Sequence, residues 1–355
     1  MTGAGHAYRP AWWIPGAHLR TLWGKLVPRR ARVPEHVERW DTPDGDFLEL
    51  WRLDAPAPSP RLIVLHGLEG SARSHYARTL VAEARRRAWA CDVLVFRSCG
   101  TELNRAPRFY HSGETEDFDF VVRRLAAREP DRPIVLVGVS LGGNVLLKWL
   151  GEHAGDAPGS VTAAATISVP YDLARGSRHI DRGFARVYQA HFLRSLRRKA
   201  HAKRLRFPDR LDPAAIDRAR TLYEFDDAVT APLHGFASAS DYYSRSSSIG
   251  WIARIRTPTL LLSAMDDPFL PPDVLDEVRA IARENPALHP EFVERGGHVG
   301  FVSGTVPWKP LYWAEWRSAE FLATALARRG SSDGEGGERA PRPRPERVDA
   351  AGTER

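Results

Sequence analysis

A chain of 355 residues that is 43% apolar, with eleven Trp and fourteen Phe, can bury a large interior, which excludes a wholly disordered protein and leaves room for one core with an insertion. Its 51 Lys and Arg against 44 Asp and Glu give a net charge of +7, but the excess is spread along the sequence and does not single out nucleic acid as a partner. Nowhere are there the ~18 consecutive apolar residues of a membrane span, and the first residues lack the charged-then-apolar order of a signal peptide.

In chain order, short apolar runs predict strands at 36–42, 46–53, 61–66, 91–96, 132–138, 162–169, 258–264 and 289–295. Thr42-Pro43-Asp44-Gly45 turns the first pair into a hairpin, because Pro-Asp-Gly sets turn geometry between extended segments. Apolar residues at three- and four-residue spacing predict helices at 75–88, 115–128, 142–153, 272–284 and 310–328. This alternation implies an α/β protein with a mostly parallel central sheet and helices on both faces. The expected division is an N-terminal extension over 1–35 packing on the core, a core over 36–171 and 251–329, and a helical insertion over 172–250. Residues 330–355, rich in Gly, Ser, Pro, Glu and Arg, are expected to be a disordered tail. Within the insertion, the basic stretch Arg194 to Arg206 is read as a solvated helix face, with phosphates or lipid headgroups as the other reading. Cys91 and Cys99 stand outside any metal-ligand spacing and are read as reduced thiols of a cytoplasmic protein, with peripheral membrane contact left open.

The motif that carries chemistry is Gly138-Val139-Ser140-Leu141-Gly142, directly after an apolar run and directly before an amphipathic stretch. Glycines at those two places remove side chains that would clash in a sharp strand-to-helix turn, so Ser140 is held exposed as a nucleophile. A serine hydroxyl needs a base, itself oriented by a carboxylate, and in the α/β-hydrolase fold the three follow in the order Ser, acid, His. Asp266 and Asp267 leave the strand at 258–264, and Gly296-Gly297-His298-Val299-Gly300 follows the last strand. His298 is therefore the expected base. Asp267 is preferred over Asp266 because three residues separate it from Pro271; the other carboxylate is expected to cap the next helix. The oxyanion hole is assigned to the backbone amides of Leu141 and of Leu68 in the His66-Gly67-Leu68-Glu69-Gly70 turn. His66 itself is read as structural, and Ser112 as the N-cap of the helix that follows it. The insertion would then sit as a cap over the active site.

Several stretches together resemble the YheT-like α/β hydrolases, which are related to abhydrolase-domain proteins of animals that act on lipids. They are His18-Leu19-Arg20-Thr21, Asp44-Gly45-Asp46-Phe47, H-G-L-E-G-S at 66–71, F-R-S-C-G at 96–100, Tyr110-His111-Ser112-Gly113-Glu114-Thr115 and G-V-S-L-G-G-N-V-L-L-K at 138–148. Glu224-Phe225-Asp226-Asp227, Asp241-Tyr242-Tyr243, D-D-P-F at 266–269 and G-G-H-V-G-F at 296–301 complete the set. The resemblance spans about residues 10 to 325 and implies a carboxylic-ester hydrolase using Ser140, Asp267 and His298, with lipid or phospholipid esters as substrates in some relatives. Ser98 departs from it, standing where relatives usually have glycine.

The expected function is cleavage of carboxylic esters, lipid or short-chain, through an acyl-enzyme, with no metal or organic cofactor. An acyltransferase on the same residues and a catalytically silent binding protein are the alternatives. Phe225, Asp226, Asp227, Tyr242 and Tyr243 are read as packing within the insertion or as lining of a substrate entrance.

Overall fold

The computed structural model describes residues 7–27, 31–34 and 36–335. Helix α1 (Gly16–Leu26) leads into the hairpin of β1 (His36–Asp41) and β2 (Phe47–Leu53). At its turn Gly45 takes φ 77°, and its amide donates to Thr42 O at 3.0 Å. Then β3 (Arg61–Leu65), α2 (His75–Arg86), β4 (Ala90–Val95), α3 (Glu116–Arg128), β5 (Ile134–Val139), α4 (Leu141–Glu152) and β6 (Val161–Ile167) alternate strand and helix. A helical insertion follows, with α5 (Leu173–Ile180), α6 (Ala185–Arg206), α7 (Pro213–Arg218), α8 (Leu222–Phe225), a π-turn over Asp226–Thr230, α9 (Ala231–His234) and α10 (Ala239–Ser246). The core resumes with β7 (Thr259–Ala264), α11 (Asp273–Glu284), β8 (Leu288–Val293), a short ribbon of β9 (Val302–Ser303) and β10 (Leu311–Tyr312), and α12 (Trp313–Glu335). The tail predicted from 330 begins with helix, since α12 continues through Glu335; the rest of it, 336–355, lies outside the described residues.

The eight strands form one sheet in the order β1-β2-β4-β3-β5-β6-β7-β8. β2 pairs antiparallel with β1 and with β4, and every later pairing is parallel. β3, β4, β5 and β7 are buried along their whole length, which is why they read as unbroken apolar runs rather than alternations. Their side chains still alternate between faces: Ile63 and Leu65 join one core with Trp40, Phe118 and Trp149, while Leu62 and Val64 join the other with Tyr76, Leu80 and Phe301.

All eight predicted strands and four of the five predicted core helices lie within a few residues of their observed bounds, while the helix predicted over 310–328 runs seven residues further, to Glu335. Helix α1 has no counterpart among the predicted elements. Pro15 at its N-cap supplies no side-chain bond, so tertiary packing carries it: a Cβ on Gly24 would lie 2.5 Å from the His75 ring. The glycine lets α1 come that close to α2.

A buried cation ties the hairpin to the sheet's helical layer. Arg97, after β4, donates to Asp46 at 2.8 Å, to Asp44 at 2.9 Å and to both oxygens of Asp117 on α3 at 2.6 and 2.7 Å. Burial opposes ionisation of Asp46, but bonds from the Asn104 side chain and from the amides of Arg105, Ala106 and Phe47 outweigh it and hold its pKa below the usual carboxylate range. Replacing Arg97 by Met leaves Asp46 and Asp117 buried without their counter-charge, and the expected loss of unfolding free energy is about 3–5 kcal/mol. Urea denaturation of Arg97→Met measures it, and a loss below about 1 kcal/mol, as for a surface pair, would overturn the assignment.

Candidate active site

The chain turns from β5 into α4 at Ser140, which takes φ 53° and ψ −120°, a left-handed conformation that costs a non-glycine residue free energy. Two backbone approaches hold it there. A Cβ on Gly138 would lie 2.6 Å from Gly142 O, and one on Gly142 would lie 2.5 Å from His66 O and 2.6 Å from Leu65 O. Any side chain at either position would push α4 away from the end of β3. The Ser140 amide is anchored in turn by Ile167 O of β6 at 2.8 Å.

Two loops at the same edge of the sheet reach this serine. His298 Nε2 lies 2.9 Å from Ser140 Oγ, and its Nδ1 lies 2.8 and 3.1 Å from the oxygens of Asp267. Asp267 is almost fully buried and also accepts the Phe269 amide at 2.8 Å. The Phe269 ring stacks on the imidazole with centroids 4.1 Å apart and planes at 21°, so the ring can neither tilt nor drift from the serine. The structure thus brings Ser140, Asp267 and His298 into one hydrogen-bonded chain.

Asp266 does different work. Its Oδ1 accepts the amides of Gly296 and Gly297 at 2.6 and 2.8 Å, and its Oδ2 faces Arg20 of α1 at 3.3 Å. The expectation that it caps the next helix is corrected, since α11 has Pro272 at its N-cap and no side-chain cap bond. The glycine-rich loop offers it two free amides at once, a better anion site than one helix end. Helix α1 also holds this loop directly, because Thr21 Oγ1 accepts the His298 amide at 2.9 Å. Arg20 and Thr21 of the His18-Leu19-Arg20-Thr21 stretch are therefore supports of the histidine loop.

Beside Ser140 runs the turn from Gly67 to Gly70, closed by Gly70 N donating to Gly67 O at 2.9 Å and requiring φ 54° at Glu69. Gly67 N donates to Tyr76 Oη and Glu69 N to Tyr110 Oη, each at 2.8 Å. Leu68 N–H is the one amide of the turn not engaged in this way. Leu141, as the first residue of α4, likewise has no intrahelical acceptor for its amide. Both residues line the cavity at Ser140. The Glu69 carboxylate fixes the turn further, accepting Tyr110 Oη at 2.9 Å, Lys199 Nζ at 2.7 Å and the Ser195 hydroxyl, the last two from α6.

His66 is fully buried; its Nδ1 lies 2.8 Å from Gly67 O and its Nε2 accepts the Phe96 amide at 3.1 Å. Both nitrogens are used in the neutral ring, as a structural residue requires. Ser98 takes φ 62° and its hydroxyl donates to the Asn104 side chain, which explains why glycine suits this position and what offsets its absence. Ser112 is not an N-cap. Its amide donates to Tyr242 Oη at 2.8 Å and its carbonyl accepts from Asn144 Nδ2 at 2.7 Å, while Thr115 precedes α3 without a cap bond.

The cavity measures about 540 Å³ and reaches from Ser140 and His298 to Phe225, Asp226, Tyr242 and Tyr243 of the insertion. Asp226 is held by Tyr243 Oη at 2.7 Å and Thr230 Oγ1 at 2.6 Å, and burial pushes its pKa up to about 6. Asp227 instead caps α10 through the Ala239 amide at 2.8 Å. Near the cavity His111, Glu114 and His234 place ligand-type atoms within 4.8 Å of one another. They suit a metal poorly: His111 Nδ1 accepts the Gly113 amide at 3.1 Å, which puts the ring proton on Nε2, and Arg108 sits 3.2 Å from Glu114. Burial first, then His234, Lys148, Arg108 and Arg245, hold His111 well below the usual histidine pKa, and the same cations repel a metal ion.

Residues 60–305 match the family model for the alpha/beta hydrolase fold. Over 314 residues the chain is 40% identical to YheT of Escherichia coli (strain K12), a protein named as an esterase, covering 87% of this chain and 91% of that one. It is 27% identical to phospholipase ABHD3 of Mus musculus over 86% of this chain and 75% of the relative, and 30% identical to monoacylglycerol lipase of Saccharomyces cerevisiae over 70% and 56%. The Pyrococcus furiosus esterase PF2001 superposes with a TM-score of 0.53 at 17% identity, covering 90% of this chain and 99% of that one, a likeness of fold.

Burial pushes the His66 pKa down to about 4, against about 6.5 in an unfolded chain. Stability from the neutral ring is complete above about pH 6.5 and falls as the pH drops toward 4, by about 3 kcal/mol in all. His66→Gln stays neutral at every pH, so the stability gap between wild type and variant should narrow by most of that amount, about 2.5 kcal/mol, from about pH 7.5 to pH 4.5. Paired urea titrations read it, and a gap independent of pH would show that His66 is not buried neutral.

Proposed function

We propose that this chain, which belongs to the α/β-hydrolase fold family and within it to the YheT-like branch, hydrolyses carboxylic esters through Ser140, His298 and Asp267. The observation that carries the reading is the imidazole of His298 set between Ser140 Oγ at 2.9 Å and Asp267 Oδ2 at 2.8 Å, on the wall of a cavity. With its proton on Nδ1 and bonded to Asp267, the ring presents a lone pair at Nε2 to the serine hydroxyl. As Ser140 Oγ attacks the ester carbonyl its proton passes to Nε2, and Asp267 stabilises the imidazolium without taking the proton. The negative charge that builds on the carbonyl oxygen falls to the amides of Leu68 and Leu141, worth about 3–4 kcal/mol for one such donor. The tetrahedral adduct then expels the alcohol with the proton from Nε2. Water repeats the sequence on the acyl-enzyme and releases the acid.

The substrate class that fits is an amphiphilic ester with an acyl chain. Leu68, Leu173, Ile180, Phe192, Leu222 and Phe225 line much of the cavity, and such walls favour an alkyl chain over a polar acyl group. The insertion from α5 to α10 acts as the cap that encloses it. The names of the relatives, esterase, phospholipase and monoacylglycerol lipase, agree with ester cleavage on lipid-like substrates. Two free thiols suit a reducing compartment, in keeping with a cytoplasmic enzyme.

Ser140→Ala should lose fluorophosphonate labelling and at least about 10⁴-fold in kcat, and retained turnover would sink the serine mechanism. Asp267→Asn should lower kcat by on the order of 10³–10⁴-fold. Asp266→Asn should act through the histidine loop and cost less than that; the reverse ranking in a p-nitrophenyl ester assay would move the acid to Asp266. Across a chain-length series, octanoate should be cleaved with higher kcat/KM than acetate, and restriction to acetate would reject the lipid-like class.

A further inference from the structure

Helix α6 is the longest of the insertion and contains eight Lys and Arg and no Asp or Glu. Its inward side is accounted for: Lys199 bonds to Glu69, and Lys203 Nζ donates to Asn104 O at 2.7 Å and to Ala106 O. On the outward side Arg194 and Arg198 have no such partner among the described residues. At about 100° per residue, Phe184 just before the helix and Val187, His191, Arg194, Arg198 and Leu205 along it fall on one face. Phe184, Val187 and Leu205 are 52%, 56% and 80% exposed, and His191, Arg194 and Arg198 are exposed as well. Large apolar side chains at both ends of a basic stripe are not what a merely solvated helix face presents.

This stripe continues onto α1. The His18 ring packs against Phe184 with centroids 4.7 Å apart and bonds to Tyr188 Oη at 3.3 Å, which sets the two helices side by side. Leu19 and Leu26, seven residues apart and so on one face of α1, are 45% and 63% exposed. Lys25 on α1 and His191 on α6 are exposed and also line the cavity that holds Ser140, so the seam between the helices is where the cavity meets this face. No helix among the described residues is long and apolar enough to cross a membrane.

We propose that the joint outer face of α1 and α6 docks on an anionic lipid surface, with Phe184, Val187, Leu19 and Leu26 entering the interface and Arg194 and Arg198 on the headgroup phosphates. The occupant is argued from charge. A second copy of this chain would bring the same cations against themselves, whereas an anionic bilayer complements them and accepts isolated apolar side chains between headgroups. The arrangement delivers amphiphilic molecules to the α1–α6 seam. Docking itself is independent of the ester-hydrolase reading, because none of these residues contacts Ser140, Asp267 or His298.

Flotation of the full-length chain with vesicles tests it. Binding is expected to phosphatidylcholine vesicles containing about 30% phosphatidylglycerol, not to phosphatidylcholine alone, and should fall steeply by about 0.5 M salt. The double variants Phe184→Ser/Val187→Ser and Arg194→Glu/Arg198→Glu should each partition at least tenfold less, while cleavage of dissolved p-nitrophenyl butyrate and fluorophosphonate labelling stay at the wild-type level. Ser140→Ala should bind vesicles like the wild type, which separates docking from chemistry. Should circular dichroism show one pair misfolded, Leu19→Ser/Leu26→Ser on α1 decides in its place. Equal binding to neutral vesicles, or undiminished binding by folded stripe variants, overturns the proposal. So does a wild-type dimer in sedimentation velocity that the Phe184→Ser/Val187→Ser pair converts to monomer.

Discussion

The close approach of α4 to the end of β3 is the constraint from which the rest of the site follows. With Gly142 packed onto the carbonyls of Leu65 and His66, a single residue, Ser140, separates β5 from the helix, and that residue must take a left-handed φ. The cost of such a conformation, on the order of 1–3 kcal/mol, persists because β5 lies between β3 and β6 and cannot shift. The same approach puts the Gly67–Gly70 turn beside the serine, where a Cβ on Gly67 would be 3.2 Å from Ser140 Cβ. The position of Ser140 and the place of the Leu68 amide are thus consequences of one packing contact.

Two adjacent carboxylates divide the remaining geometry. Asp267 faces the imidazole, and Asp266 faces the backbone that carries it. Because the pair sits on one short loop after β7, the distance from acid to histidine is set twice, once through the side chain and once through the Gly296 and Gly297 amides. Val299 and Phe301 take φ 54° and 38° within the histidine loop after β8, and Thr21, Ser168 and Asp266 supply the bonds that offset such backbone. A loop this heavily constrained presents His298 to Ser140 at a fixed angle, the preorganisation that the proposed proton transfer requires.

The sheet was legible in the sequence because buried parallel strands are written as apolar runs, and the helices between them as three- and four-residue spacings. The order of Ser140, Asp267 and His298 was legible because each stands at the carboxyl end of such a strand. What escaped were features whose cause lies elsewhere in the chain. Helix α1 has neither an N-cap bond nor a strong apolar stripe, and only the contacts of Thr21, Arg20 and Gly24 with distant residues give it a role. Asp266 resembles a helix cap until the two amides it receives are known, and Ser112 resembles one until Tyr242 and Asn144 occupy its backbone. The positive φ of Ser98 had a trace in the sequence, a serine where relatives usually have glycine, but no local signal gives the Asn104 side chain that receives its hydroxyl.

Helix α6 has two faces with separate physical demands. Inward, Lys199 and Ser195 meet the Glu69 carboxylate on the turn that carries Leu68, with Glu69 itself almost buried. Lifting α6 would strip that carboxylate of its cation and move the turn, so a helix hinged away from the core would displace the Leu68 amide each time the cavity opened. Lys199 keeps its charge there: burial pulls its pKa down, but Cys99 and Glu69 together raise it above the ordinary lysine value. The inner face therefore argues for an anchored helix. With α6 fixed, molecules must pass beside it rather than beneath it, and the α1–α6 seam marked by Lys25 and His191 is the passage that leaves the Glu69 contacts intact.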